Sequence, residues 1–158
     1  MAVRVRTATR ADARIIAGFA IALSEQHRDY DKERFFALGN IDGAERFYGD
    51  QTESAGARIL IAEDGDRPVG FAYIQYEAVN YADLIESAAW LHDLYLEKSA
   101  RGSGAGRKLV VESIKAAEVL GANKLMLHVA ARNQLGQEFF ERYGFRTTML
   151  EMMLKIEP

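Results

Sequence analysis

The stretch from Ala88 to Ala130 constrains this chain most. Ala88 to Leu96 reads as a strand, and Arg101-Gly-Ser-Gly-Ala-Gly106 is a glycine-rich turn. Arg107 to Leu120 carries Val110, Ile114 and Ala117 on one helical face, with Gly121 as a C-terminal stop. Lys124 to Ala130 is again strand-like. A strand, a turn, an amphipathic helix and a second strand make a βαβ unit, whose two strands run parallel in one sheet. Any fold for this chain has to contain that unit.

The turn also has chemistry. Glycines at Gly102, Gly104 and Gly106 leave backbone N–H groups unobstructed where a helix begins, and the positive end of the helix dipole favours anions there. Arg101, Arg107 and Lys108 add positive charge around it. A phosphate site and an ordinary flexible loop both fit the glycines alone. Two familiar phosphate loops do not match. A Walker loop ends in Gly-Lys-Ser/Thr, whereas Gly106 is followed by Arg107 and Lys108. A dinucleotide fingerprint needs glycine where Arg107 stands and a turn directly after the strand, whereas Glu97 to Ala100 intervene.

The remaining pattern predicts an α+β domain. Val3 and Val5 alternate with Arg4 and Arg6 as a first strand. Thr9 and Asp12 have capping-box spacing ahead of a helix from about Ala11 to Ser24. Residues 25–51 are expected to hold one or two short helices with turns at Gly39-Asn40 and Gly43. Arg58 to Glu63 and Val69 to Tyr76 read as a hairpin around Asp64-Gly-Asp-Arg-Pro68, and Asn80 to Ser87 as a loop. Asn133 can cap a helix running to Tyr143, ended by Gly144, and Phe145 to Ile156 is expected to be a last strand or strand pair.

Composition narrows the classes. At 158 residues, 49% hydrophobic and 27% charged, the chain suits one globular domain, expected over residues 1–158. A formal charge of −3 argues against a broadly basic nucleic-acid binder, and no apolar run spans a bilayer. The absence of cysteine excludes a disulfide framework, a thiolate metal site and a cysteine nucleophile. The first residues alternate apolar with charged and lack the apolar stretch of a signal peptide, so the expectation is a soluble cytoplasmic protein, with no nucleic acid, membrane or metal.

Arg101-x-x-Gly104-x-Gly106, placed after Leu94-Tyr95-Leu96, resembles the acetyl-CoA signature of the GNAT family of N-acetyltransferases. Asn133-x-x-Gly136-x-x-Phe139-Phe140-x-x-Tyr143-Gly144-Phe145 is similar to that family's second motif, and the order of elements fits along the whole chain. Asp93-Leu94-Tyr95-Leu96 looks most like the diamine and polyamine branch. The resemblance implies a mixed, mostly antiparallel sheet flanked by helices, with a central parallel strand–helix–strand unit. It implies acetyl-CoA as cosubstrate, with the diphosphate on the turn amides from Gly102 through Ser103, Gly104, Ala105 and Gly106 to Arg107, beside Arg101. The pantetheine arm would run along Leu94, Tyr95 and Leu96, with Asn133, Phe139 and Phe140 further along it. A homodimer is the family's common state.

The family's usual tyrosine acid falls on Phe140, which has no hydroxyl. Tyr143, one turn on, and Tyr95 are the candidate substitutes; packing is the plainer role for either. For the base, His92 is placed two residues before Leu94 and on the same face, with Asp93 on the other; a half-buried structural histidine is the alternative. His128 on the following strand could face the same cleft. His27 and Tyr30, within an acidic cluster of Glu25, Asp29, Asp31 and Glu33, are expected at the acceptor pocket. The functional expectation is transfer of an acetyl group from acetyl-CoA to a primary amine by direct attack. An acyl-CoA-binding module that has lost catalysis is the alternative, favoured by Phe140.

Overall fold

The computed structural model describes residues 2–158. Its sheet has five strands in the order β1 (Val3–Thr7), β2 (Ala57–Asp64), β3 (Arg67–Glu77), β4 (Ala88–Leu96) and β5 (Leu125–Leu127). The first three pairings are antiparallel and β4–β5 is parallel, as the βαβ unit requires. Four helices pack around it: α1 (Ala13–Tyr30), α2 (Ile41–Thr52), α3 (Ala105–Val119) and α4 (Gln134–Glu141).

The sheet divides the core in two. On one face, Val69, Ala72, Ile74, Ala89 and Leu91 pack against Ala105, Leu109, Ala116 and Ala117 of α3. On the other, Ile59, Ile61, Phe71 and Tyr73 pack against Ile16, Phe19 and Ala20 of α1 and Tyr48 of α2. Strand alternation produces this: Ala72 and Ile74 face α3 while Phe71 and Tyr73 face α1, so β3 is apolar on both faces and buried along its middle.

The entry to α1 follows the capping pattern. The Asp12 carboxylate accepts the Thr9 N–H at 2.8 Å and binds the Arg6 guanidinium. That guanidinium holds the Asp12 carboxyl below the usual carboxylate range. Arg6 also shares the almost completely buried Glu63 carboxylate with Arg4, each at 2.7 Å.

Four expectations need correction. Helix α1 runs to Tyr30 rather than Ser24, because Leu23 still packs inward and Ser24 bonds back to the Ile21 carbonyl. Gly43 is no turn: it lies in the first turn of α2, where the Asn40 side chain accepts its N–H at 2.9 Å. The strand after α3 is confined to Leu125–Leu127, and residues 146–158 form no strand within the single chain. The parallel pair therefore stands at the edge of the sheet, with the outer side of β5 unpaired.

Candidate active site

Two features of the backbone build the site. The first is the splitting of β4 from β5. Their pairing covers Ala89↔Leu125, Trp90↔Met126 and Leu91↔Leu127, and β4 then continues alone on that side to Leu96. Unpaired strand backbone opens a notch in which an amide-bearing chain can pair with Leu94 to Leu96.

The second is a bulge in β4. Tyr73 stands opposite Asp93 and Ile74 opposite Leu91, so His92 is the extra residue. The alternation therefore slips by one. Leu91 and Leu94 both face α3, whereas His92 and Asp93 both lie toward the α1–α2 side. The expectation that His92 shares a face with Leu94, and that Asp93 points away from His92, is corrected by this slip. Tyr95 also lies on the α1 face, its ring 5.5 Å from Phe19.

The glycine turn leads from a short 3-10 turn at Lys98–Ala100 into α3. Gly102 (φ +78°) and Gly104 (φ +88°) are left-handed, and a Cβ at either would point into open space. Ser103 Oγ accepts the Ala105 N–H, and Ala105 is buried. The first backbone bond within α3 runs from Lys108 N–H to Gly104 O, at 3.1 Å. The N–H groups of Gly106 and Arg107 precede it and have no acceptor in the helix. Arg101 and Arg107 are exposed beside them, while Lys108 is diverted, its Nζ donating to the Val3 carbonyl on β1. Free amides, a helix N-terminus, two open left-handed glycines and two exposed guanidinium groups fit a diphosphate.

Helix α4 closes the notch. Asn133 caps it, accepting the Gly136 N–H at 2.9 Å; a Cβ on residue 136 would lie 2.3 Å from Asn133 Nδ2 and would displace the capping side chain. Phe139 packs on Gly106 and on Leu96's neighbourhood, bringing α4 against the turn. Phe140 is half-buried, packing against the core beside α3. Tyr143 lies 5.2 Å, ring to ring, from Phe139.

On the side where the acceptor is expected, His92 Nε2 donates to Glu77 Oε1 at 2.5 Å, and its ring lies 5.5 Å from that of Tyr73 and 6.3 Å from that of Trp90. A carboxylate accepts only, so this bond puts the proton on Nε2 and leaves Nδ1 of the neutral ring as a proton acceptor. Glu77, Asn80, Asp83, Ile85, Trp90, His92 and His128 line a small hollow of about 110 Å³. Trp90 and His128 also line a wider cleft of about 1480 Å³, which His27, Tyr30 and Tyr143 reach. His27 Nδ1 donates to the Leu23 carbonyl at 2.9 Å, and Tyr30's hydroxyl accepts from Gln26. Asp31 is spent on capping the Glu33 and Arg34 amides.

Three residues of this side escape sequence reasoning. Glu77 lies one residue past the expected end of its strand, and only the β3–β4 register brings it to His92. Trp90, the single tryptophan, was within reach through its i, i+2 relation to His92. Tyr48 donates to Asp93 Oδ2 at 2.7 Å, a pairing across 45 residues with no local signal. Burial raises the Asp93 carboxyl above its ordinary range, with the Tyr48 bond acting in the opposite sense.

The sequence pattern of the Acetyltransferase (GNAT) family matches residues 17–145. The N-acetyltransferase YhfO of Bacillus subtilis, described as uncharacterized, is 28% identical over 143 residues, covering 89% of this chain and 88% of its own. Among solved structures, a mutant of the BH1408 protein from Bacillus halodurans superposes with a TM-score of 0.83 at 18% identity, over 98% of this chain and 99% of that one. A "predicted acetyltransferase with acetyl-CoA" from Clostridium acetobutylicum gives 0.73 at 17% identity, over 98% and 96%. The chain belongs to the GNAT family of acetyltransferases. It is an acetyl-CoA-dependent N-acetyltransferase, with acetyl-CoA as its cosubstrate.

Proposed function

We propose that this enzyme acetylates a primary amine on a small cationic molecule by direct attack, with His92 as the base. The observation that carries this reading is the bond from His92 Nε2 to Glu77, which leaves Nδ1 to accept a proton; His92 lines a hollow together with Asp83 and Trp90. Carboxylates and an indole face attract an ammonium group, and a nearby imidazole can take its proton near neutral pH. The acidic hollow also supports the likeness to the diamine and polyamine branch.

The donor contributes an acetyl group activated as a thioester. The chain's part is to hold and orient it. The Gly106 and Arg107 amides, with Arg101 and Arg107, would hold the diphosphate. The unpaired stretch Leu94–Tyr95–Leu96 would hold the pantetheine amides, with Asn133, Phe139 and Phe140 closing over the arm. Gly102, Ser103, Gly104 and Ala105 shape the turn. Tyr143, whose ring lies against Phe139, would give a proton to the leaving thiolate, the role Phe140 cannot fill. Without it the thiol, with an ordinary pKa of about 8.5, still leaves tolerably near neutrality. His27 and Tyr30 would border the acceptor in the wider cleft. The cysteine-free composition suits a reducing cytoplasm, and the unpaired edge of β5 suits a homodimer.

Thiol release measured against a panel of mono-, di- and polyamines tests the reading. His92→Gln should lower kcat by about 10²–10⁴-fold and leave the KM for acetyl-CoA within about twofold. Turnover unchanged on every accepted amine would remove His92 as base. Preference for neutral amines would remove the cationic acceptor.

A further inference from the structure

Two polar side chains adjacent in sequence lie on the same side of β4 at its bulge, and each is tied to a different element. His92 bonds Glu77 at the end of β3, and Asp93 accepts from Tyr48 of α2 at 2.7 Å. The bulge falls where β5 departs, since Leu91, opposite Leu127, is the last residue of β4 paired on that side. Whatever holds Asp93 therefore holds β4 at the point where it enters the site.

Stability does not account for an aspartate here. Burial raises its carboxyl, so the folded chain disfavours the ionised form, and an amide would accept the same bond without that cost. Asp93 lines neither the small hollow nor the wider cleft. Its partner is the informative group. The Tyr48 side chain is a rigid donor: the residue is 6% exposed, and its ring meets those of Phe47, Phe71 and Tyr73 edge-on at 5.1, 5.7 and 5.8 Å. Burial, with Asp93 beside it, raises the phenol, which stays protonated and donates throughout the neutral range.

One turn further along α2, Gln51 accepts from the Tyr73 hydroxyl at 3.2 Å. Tyr73 stands opposite Asp93 in the sheet, and its ring lies 5.5 Å from that of His92. One face of α2 thus grips both strands at the bulge, through Tyr48 the residue after His92 and through Gln51 the ring beside it. We propose that Tyr48 is a positioning residue for the acetyl transfer: its hydrogen bond to Asp93 fixes the bulge, and the bulge fixes how the His92 imidazole is presented. This rests on the reading of His92 as the base. It gives α2 a part in a reaction whose two cavities none of its side chains line.

Tyr48→Phe keeps the ring contacts and removes only the hydroxyl. On an accepted amine it should lower kcat about 10–100-fold and leave the KM for acetyl-CoA within about twofold. Asp93→Leu removes the acceptor and should lose as much, and the two substitutions together should lose no more than either alone. Asp93→Asn still accepts from Tyr48 and should keep kcat within about threefold of the wild type. Wild-type turnover in a folded Tyr48→Phe variant would overturn the clamp. So would losses that multiply in the double variant, or an Asp93→Asn loss equal to that of Asp93→Leu. A second readout needs no turnover. The chain has three histidines, so the ring proton–nitrogen signals of His92 can be assigned by their absence in His92→Gln. They should move in Tyr48→Phe, and unmoved signals would overturn the clamp. Full turnover in His92→Gln would sink the base reading alone, because the His92 signals still decide whether the Tyr48 hydroxyl sets the ring.

Discussion

The donor side and the acceptor side of this enzyme are built differently. The proposed donor side is one continuous stretch, from the end of β4 through the glycine turn into α3, and the groups it offers a ligand are backbone amides fixed by local geometry. The proposed acceptor side is assembled from the end of α1, the β3–β4 loop, a bulge and the C-terminal arm, and the groups it offers are side chains far apart in sequence. Backbone recognition tolerates sequence drift as long as the glycines persist. Side-chain recognition changes with every loop. One scaffold can thus keep a single donor while its acceptor varies.

That contrast can be broken at several points. The largest effect is expected for Gly104→Leu, whose side chain would fill the open space of the turn while its backbone is held at φ +88°. Affinity for acetyl-CoA should fall by at least about 100-fold, equivalent to roughly 2.7 kcal/mol. The left-handed strain should cost about 1–2 kcal/mol of stability, so circular dichroism must show a folded variant. Wild-type affinity in that variant would mean the turn is not the cradle.

Next comes Glu77→Gln, which keeps a hydrogen-bond acceptor beside His92 but removes the charge that fixes its tautomer. We expect kcat to fall by about 10-fold, with an altered limb in the pH–rate profile and an unchanged KM for acetyl-CoA. A variant with the wild-type pH profile would make the pair structural. Tyr143→Phe is expected to lower kcat less than His92→Gln, by about 10-fold or under, and more at low pH than at high pH, where thiolate leaves unaided. No change at any pH would return Tyr143 to packing.

Smaller effects concern stability. The Asp93 carboxyl is raised by burial, so its ionised form is disfavoured in the folded state and the stability it confers is lost as pH rises past its ordinary range. Asp93→Asn, which still accepts from Tyr48, should therefore raise the melting temperature at pH 7, by about 2–4 °C per kcal/mol gained. The Asp12 carboxyl is lowered by Arg6, so its contribution is present above the ordinary carboxylate range and lost as pH falls through the lower folded value. Asp12→Asn should flatten that acid limb in denaturant titrations.

What the sequence made legible follows the same division. The glycine turn, α3 and the Ala88–Leu96 strand could be read because their signals are local: left-handed glycines, an amphipathic period and β-rich alternation. The cap of α4 at Asn133 was legible for the same reason. The bulge was not, since nothing in Leu91-His92-Asp93-Leu94 marks the slip that turns His92 and Asp93 to one side. That slip is set by the pairing with β3. Glu77 and Tyr48 reach the site only through tertiary register. The segment after Phe145 was misread: its alternation and lack of turn residues suggest a strand, whereas residues 146–158 form none, because no strand of the chain's own sheet pairs with them.

Everything proposed for this enzyme depends on donor binding at the glycine turn. Calorimetric titration of the purified, folded enzyme with acetyl-CoA, with ATP and NAD as controls, tests it directly. Saturable binding of one acetyl-CoA per chain, with no heat from ATP or NAD, is the expected result. No heat with acetyl-CoA, or equal binding of all three, would contradict it.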